Sequence, residues 1–223
     1  MPAKWLERWE KKLRTEDDCV RFVDDVGFCS IDVPARMQDF PNQADAMGVD
    51  HAIGETWFWK DDLHIQRRIF YTRLFFDRPG YISMDLLSAF IATHGQVADE
   101  LIVMGKMPSA QRTVYEFLDK YGPISTRDLK KMLSEETQKQ ASTALIALEK
   151  MFIATKVELT GRTRQTYSYI WELAERWMPD AFEAADRLGA KQAREKIIAR
   201  LEANGLPSDP KTLQVAFGWM GRG

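Results

Sequence analysis

Gln111-Arg112-Thr113-Val114-Tyr115-Glu116-Phe117-Leu118-Asp119-Lys120-Tyr121-Gly122-Pro123-Ile124-Ser125-Thr126-Arg127-Asp128-Leu129 opens the block whose reading decides the fold. Val114, Phe117 and Leu118 recur at helical spacing, so residues 111–121 predict an amphipathic helix that Gly122-Pro123 stops. Ser125 followed three residues later by Asp128 matches a capping box and opens a short helix through Leu133. Ser134 is a second N-cap, for a longer helix over 135–151 whose Ala141, Ala144, Leu145, Leu148 and Phe152 form one apolar stripe. At 100° per residue the opposite face carries Lys139, Ser142, Thr143, Ile146 and Lys150. Ile153, Thr155, Val157 and Leu159 then alternate as a strand, and Tyr167, Tyr169 and Trp171 as another. Thr160-Gly161-Arg162-Thr163-Arg164 turns between them with a cationic tip. Helix, short helix, longer helix and basic-tipped hairpin is the element order of a winged helix.

Outward from this block the chain stays mainly α with a β component, an α+β class with helical N- and C-terminal parts. Residues 1–110 read as an N-terminal α+β domain, 111–173 as the winged helix and 174–223 as a C-terminal helical segment, with 105–109 as the first boundary. The N-terminal part predicts a helix ending near Leu13, a helix over 16–26 stopped by Gly27, an apolar stretch over 28–33 closed by Pro34, and a loop over 34–54. It can be read as a degenerate winged helix followed by an aromatic-rich stretch. That stretch holds Trp57-Phe58-Trp59, Phe70-Tyr71, Phe75-Phe76 and Tyr81, with Arg67, Arg68 and Arg73 among them. Rings interleaved with arginines can stack on bases. The plainer reading, preferred here, is that they fill the core while the arginines snorkel. In the C-terminal segment Pro179, Gly189 and Asn204-Gly205 punctuate two helices, and Pro210 opens a last one. These predict a helical brace across the winged helix.

The 223 residues are 45% apolar, 29% charged and 11% aromatic, a globular composition that excludes disordered, collagenous and low-complexity chains. The longest apolar run, 144–148, is far short of the ~20 residues of a membrane span. The N-terminus has no secretory hydrophobic region, and Cys19 and Cys29 form no CxxC, so a reduced thiol pair and a cytoplasmic location are expected. His51, His64 and His94 are isolated in sequence, so no metal is expected, nor any cofactor or membrane contact.

The net charge of −2 argues against wholesale polyanion binding. Its distribution is uneven: −5 over 1–110, +3 over 111–171 and zero over 172–223. The positive share lies on the winged helix, where duplex DNA is the expected partner. The candidate contact residues are Lys139, Ser142 and Thr143, which can donate to phosphates or base edges, and Arg162 and Arg164, which can neutralise phosphates. Glu135 and Glu136 would repel phosphate at the start of the same helix. A winged helix that contacts only protein is the competing reading.

Trp57-Phe58-Trp59-Lys60-Asp61, Phe70-Tyr71, Leu74, Pro79, Ile82-Ser83 and Leu86 resemble a stretch of the AlkZ-like winged-helix DNA glycosylases and their relatives. The block from Gly122 to Leu129, Trp177-Met178-Pro179 and Phe217-Gly218-Trp219 are similar to the same family. The resemblance implies tandem winged-helix units and DNA binding. Its active members carry Gln-x-Gln or Gln-x-Asp after a Gly-aromatic pair. The matching segment here is Gly27-Phe28-Cys29-Ser30-Ile31-Asp32, with Ser30 in the place of the first glutamine and Asp32 in the second polar place. Asp32 is therefore the catalytic candidate, able to activate water and to stabilise cationic charge developing on the sugar. A serine lacks the paired donor and acceptor of an amide. Asp32 can equally cap or end a strand before Pro34. A non-catalytic DNA-binding protein and a glycosylase acting on alkylated or crosslinked bases both remain open.

Overall fold

The computed structural model describes residues 3–48 and 54–219. Its elements are α1 (Lys4–Trp9), α2 (Glu16–Val26), β1 (Phe28–Ser30), α3 (Gln43–Met47), α4 (Trp59–Ile65), β2 (Ile69–Thr72), β3 (Gly80–Ser83), α5 (Met84–His94) and α6 (Ala98–Val103). They continue with α7 (Ser109–Tyr121), β4 (Ile124–Ser125), α8 (Thr126–Met132), α9 (Glu135–Lys150), β5 (Ala154–Leu159), β6 (Tyr169–Leu173), α10 (Ala174–Trp177), α11 (Pro179–Leu188), α12 (Ala190–Ala203) and α13 (Pro210–Phe217). Among the described residues the protein is mainly α with two small antiparallel sheets, the α+β class that the sequence predicts. Two compact units divide it: residues 1–90 with 188–223, and residues 91–187.

In the first unit the sheet order is β1-β3-β2, both pairs antiparallel. Register puts Cys29, Tyr81 and Tyr71 side by side on one face, and Phe28, Ile82 and Phe70 on the other. Both faces are buried. The first packs with Cys19, Phe22 and Val23 of α2 and with Trp5 and Leu13. On the second, Phe28 meets Phe40, Phe75, Phe90 and Phe217 at ring-centroid distances of 5.2 to 5.8 Å. Each fully buried ring contributes roughly 1.5–3 kcal/mol. The aromatic stretch is therefore core, as the sequence favours, with Trp57 the exposed exception at 48%.

Several expectations need correction here. α1 stops at Trp9 because the next amides leave the helix for α3: Lys11 N–H donates to the Asp45 carbonyl and Leu13 N–H to that of Ala46. Of the apolar stretch over 28–33, Phe28–Ser30 is strand and the chain bends after it. The expected loop over 34–54 contains α3, which Asn42 caps by accepting from the Asp45 N–H at 2.8 Å. His51 and the rest of 49–53 lie outside the described residues. The C-terminal segment divides: α10 and nearly all of α11 belong to the second unit, whereas α12 and α13 pack within the first. Phe217 joins the Phe28 cluster, and α12 reaches the end of α2 through Arg200 and Asn204.

In the second unit α7, β4, α8, α9, β5 and β6 follow in the expected order, and the sheet is β4-β6-β5. Ser125 accepts from the Asp128 N–H at 3.0 Å and Ser134 from the Thr137 N–H at 3.4 Å, so both predicted caps start their helices. Ala141, Ala144, Leu145 and Leu148 are buried against Val114, Leu118 and Leu129. β5 departs from strict alternation. Register sets Lys156 beside Trp171 on the core face and Thr155 beside Glu172 on the other, and both are buried. A bulge follows between Lys156 and Glu158, and the Lys156 ammonium meets the Glu149 carboxylate at 2.6 Å. Among the described residues no helix is long and apolar enough to cross a membrane.

Candidate nucleic-acid interface

α9 presents Lys139, Ser142 and Thr143 on its exposed side, within one and a half turns of each other. Among the described residues none of the three makes a side-chain hydrogen bond. Their donors face water because the Ala141–Leu148 stripe occupies the opposite side of the helix. Glu135 and Glu136 are exposed on the first turn, where negative charge suits the helix dipole. Gln138 donates its amide to the Lys130 carbonyl at 2.8 Å and so ties the end of α8 to α9.

Arg162 and Arg164 are exposed on the connection between β5 and β6. That connection, residues 160–168, is longer than the five-residue turn that the sequence predicts, and it is closed by its own threonines. Thr163 N–H donates to the Thr166 hydroxyl at 3.2 Å, the two hydroxyls are 2.8 Å apart, and Tyr167 N–H donates to the Thr163 carbonyl at 2.7 Å. The Thr160 hydroxyl donates to the Thr166 carbonyl. Gly161 lies so close to Thr166 that a Cβ there has no room. From outside the turn, the Arg127 guanidinium donates to the Gln165 carbonyl at 2.7 Å. Thr126 donates to the Tyr169 carbonyl at 3.2 Å and accepts from the Trp171 indole at 2.9 Å. The start of α8 therefore holds the hairpin at both its tip and its base. In the sequence Arg127 stands only inside the Ser125–Asp128 capping box, and nothing there points to a partner 38 residues away.

Asp32 is in the first unit, just past β1. Ser30 is fully buried and donates its hydroxyl to the Asp32 carbonyl at 2.6 Å, while Ile31 N–H donates to the Pro79 carbonyl and Ala44 N–H to that of Ile31. The main chain of Asp32, not its carboxylate, holds this bend. The carboxylate is half-buried and makes no hydrogen bond or ion pair among the described residues. Ser30 thus serves the backbone and presents nothing outward. Around it lie buried polar groups: the Tyr81 hydroxyl donates to the Gln43 side-chain oxygen at 3.0 Å. Burial lifts the Tyr81 phenol well above its ordinary range, as it does the Cys29 thiol, and it pushes the Cys19 thiol up to about 12. Both cysteines are free, and at neutral pH neither supplies a thiolate.

His64 is buried, and its Nδ1 accepts from the Tyr71 N–H at 3.0 Å, a core role for the imidazole. Among the described residues no group of three or more His, Cys, Asp or Glu side chains is placed to hold a metal ion.

Comparison with curated proteins and with solved structures gives no match. A family model described as AlkZ-related matches residues 13–218. The match takes in both sheets, α9, the 160–168 turn and the Ser30–Asp32 bend, and the chain belongs to the AlkZ-related family.

Proposed function

We propose that this protein is a winged-helix DNA-binding protein whose second unit contacts duplex DNA, with α9 entering the major groove and the 160–168 turn acting as the wing. The observation that carries this reading is the pairing of uncommitted donors on the exposed face of α9 with a basic turn that Arg127 and the threonines hold in place. Lys139, Ser142 and Thr143 supply donors to base edges and phosphates, and Arg162 and Arg164 neutralise backbone charge. Glu135 and Glu136 keep the first turn of α9 away from phosphates, so the contact centres on 139–143. Family membership supports the DNA partner. Fluorescence anisotropy on a random-sequence duplex tests it: affinity falls steeply with salt, and Arg162→Ala with Arg164→Ala flattens the slope by roughly two units. No binding at low salt sinks this reading in favour of a protein-contacting wing.

A second reading, excision of an alkylated or crosslinked base, is favoured by one observation: the half-buried Asp32 carboxylate has no partner among the described residues. Such a group is available to activate water beside a sugar. Base release from alkylated DNA, compared between the native protein and Asp32→Asn, tests it. Equal background release in both removes Asp32 from that role on those substrates.

A further inference from the structure

Trp57 stands apart from the rest of the aromatic stretch. Trp59, Phe70, Tyr71, Phe75 and Tyr81 are buried, whereas Trp57 is 48% exposed. An exposed indole is ordinarily mobile about two side-chain torsions, but this one is clamped. The Lys60 ammonium lies 4.2 Å from its ring centroid and donates to the Trp57 carbonyl at 3.1 Å. Lys60 is itself only 3% exposed and is neutralised by Asp61 at 2.7 Å. Burying an ammonium is costly, and burial draws the Lys60 pKa below its ordinary value although Asp61 works against that shift. The arrangement holds one π-face of the indole against a cation, and nearly half of the residue stays exposed to solvent. The indole N–H makes no hydrogen bond among the described residues.

We propose that the open face of Trp57 is a stacking site for one unpaired nucleobase, a purine in preference to a pyrimidine. A ring held in advance loses little entropy when it stacks, and an electron-poor indole over an ammonium favours an electron-rich planar partner on its other side. Among the described residues beside Trp57 in the chain no second large apolar side chain is exposed, so a docking protein would meet one ring rather than a patch. The adjoining Thr56 and Phe58 are half-buried, and Trp59 and Lys60 are buried. A single planar ring fits the area on offer. The purine overlaps the indole more fully than a pyrimidine can.

The choice of a nucleobase rests on the DNA-binding reading above, so the experiment separates the two. Quenching of tryptophan fluorescence by a single-stranded adenylate decamer is measured for the native protein and for Trp57→Phe. In parallel, Trp57→Ala is compared with the native protein by anisotropy on a paired duplex and on the same duplex with one extrahelical adenine. The expected results are a quench that is lost in Trp57→Phe, and a preference for the bulged duplex that falls roughly tenfold in Trp57→Ala with paired-duplex affinity unchanged. Trp57→Phe should melt with the native protein, since the ring contributes little to the core. An absent quench, or one undiminished in Trp57→Phe, overturns the stacking site, and either is the outcome expected if Trp57 anchors a protein. A quench that depends on Trp57 in a protein that does not bind paired duplex upholds the stacking site while the winged-helix reading fails. Paired-duplex binding with no effect of either Trp57 substitution does the reverse.

Discussion

The side-chain amide of Asn204 donates to the main-chain carbonyl of Val26 at 2.8 Å, across 178 residues of chain. It completes the C-terminus of α2. Val23 receives the Gly27 N–H, Arg200 donates to the carbonyls of Asp24 and Asp25, and Asn204 serves the last one. Asn204 is fully buried, so Asn204→Ala leaves the Val26 carbonyl without a donor and should cost about 1–3 kcal/mol. Asn204→Asp should cost at least as much, because it sets a carboxylate oxygen against a carbonyl. Urea denaturation of the three proteins measures this, and equal midpoints would refute the role.

That contact also shows where local sequence stops informing. The elements that carry their own start and stop residues, α2 between Thr15 and Gly27 and α8 between Ser125 and Leu133, are legible because a cap and its partner lie three residues apart. α3 carried a readable signal too, Asn42 three before Asp45, but five residues with no apolar period resemble a loop. The outward face of α9 follows from 100° arithmetic alone. What holds the candidate wing does not. Arg127 and Gln165 are far apart in sequence, and neither residue type announces the other. Likewise a lysine in a strand reads as outward-facing, yet register pairs Lys156 with the buried Trp171 and its ammonium meets Glu149. The C-terminal helices are a similar case: their apolar stripes say that they pack, not that α11 belongs to the second unit and α12 and α13 to the first.

The Glu149–Lys156 pair gives a prediction with two signs. Glu149 is fully buried, its Oε1 bonds Lys156 at 2.6 Å and its Oε2 has no partner. Lys156 also lies 4.9 Å from the Tyr169 ring centre and 5.2 Å from that of Trp171. Glu149→Ala strands a buried ammonium and should destabilise by about 3–5 kcal/mol. Glu149→Leu combined with Lys156→Met removes both charges and should recover most of that loss. Denaturant midpoints for the single and double variants test the coupling; additive losses would contradict it.

Arg127 should act on the 160–168 turn before any ligand arrives. Its guanidinium fixes the Gln165 carbonyl, and one residue on, Thr166 and Tyr167 direct their amides to Thr163. Arg127→Ala should speed hydrogen exchange at Thr166 and Tyr167 while amides in the Ala141–Leu148 stretch of α9 keep their protection. Arg127→Lys retains the charge but not the reach and geometry of the fork, and should exchange like the alanine variant. Native-like exchange in both would mean that the threonines alone hold the turn.

Acid should weaken the fold through three carboxylates at helix N-termini. Asp18 is held below its ordinary value of 3.8 first by the Thr15 hydroxyl, Asp128 first by Lys131 and then by Ser125, and Asp209 first by the Thr212 hydroxyl. A depressed folded-state value means that the unfolded chain takes up the proton first. The stabilisation is therefore complete above about pH 4 and is lost as pH falls through the depressed values. Asp24 acts in the opposite sense. Burial and then the charge of Asp85 raise it, so protonation relieves a cost that it carries at neutral pH. Replacing Asp18, Asp128 and Asp209 together by Asn keeps oxygen acceptors at the helix starts but removes the titration. The triple variant should melt lower than the native protein at pH 7, and the gap should narrow as pH is taken below about 4. Circular-dichroism melts across that range decide the matter, and a gap that stays constant with pH would show that these carboxylates do not couple to folding.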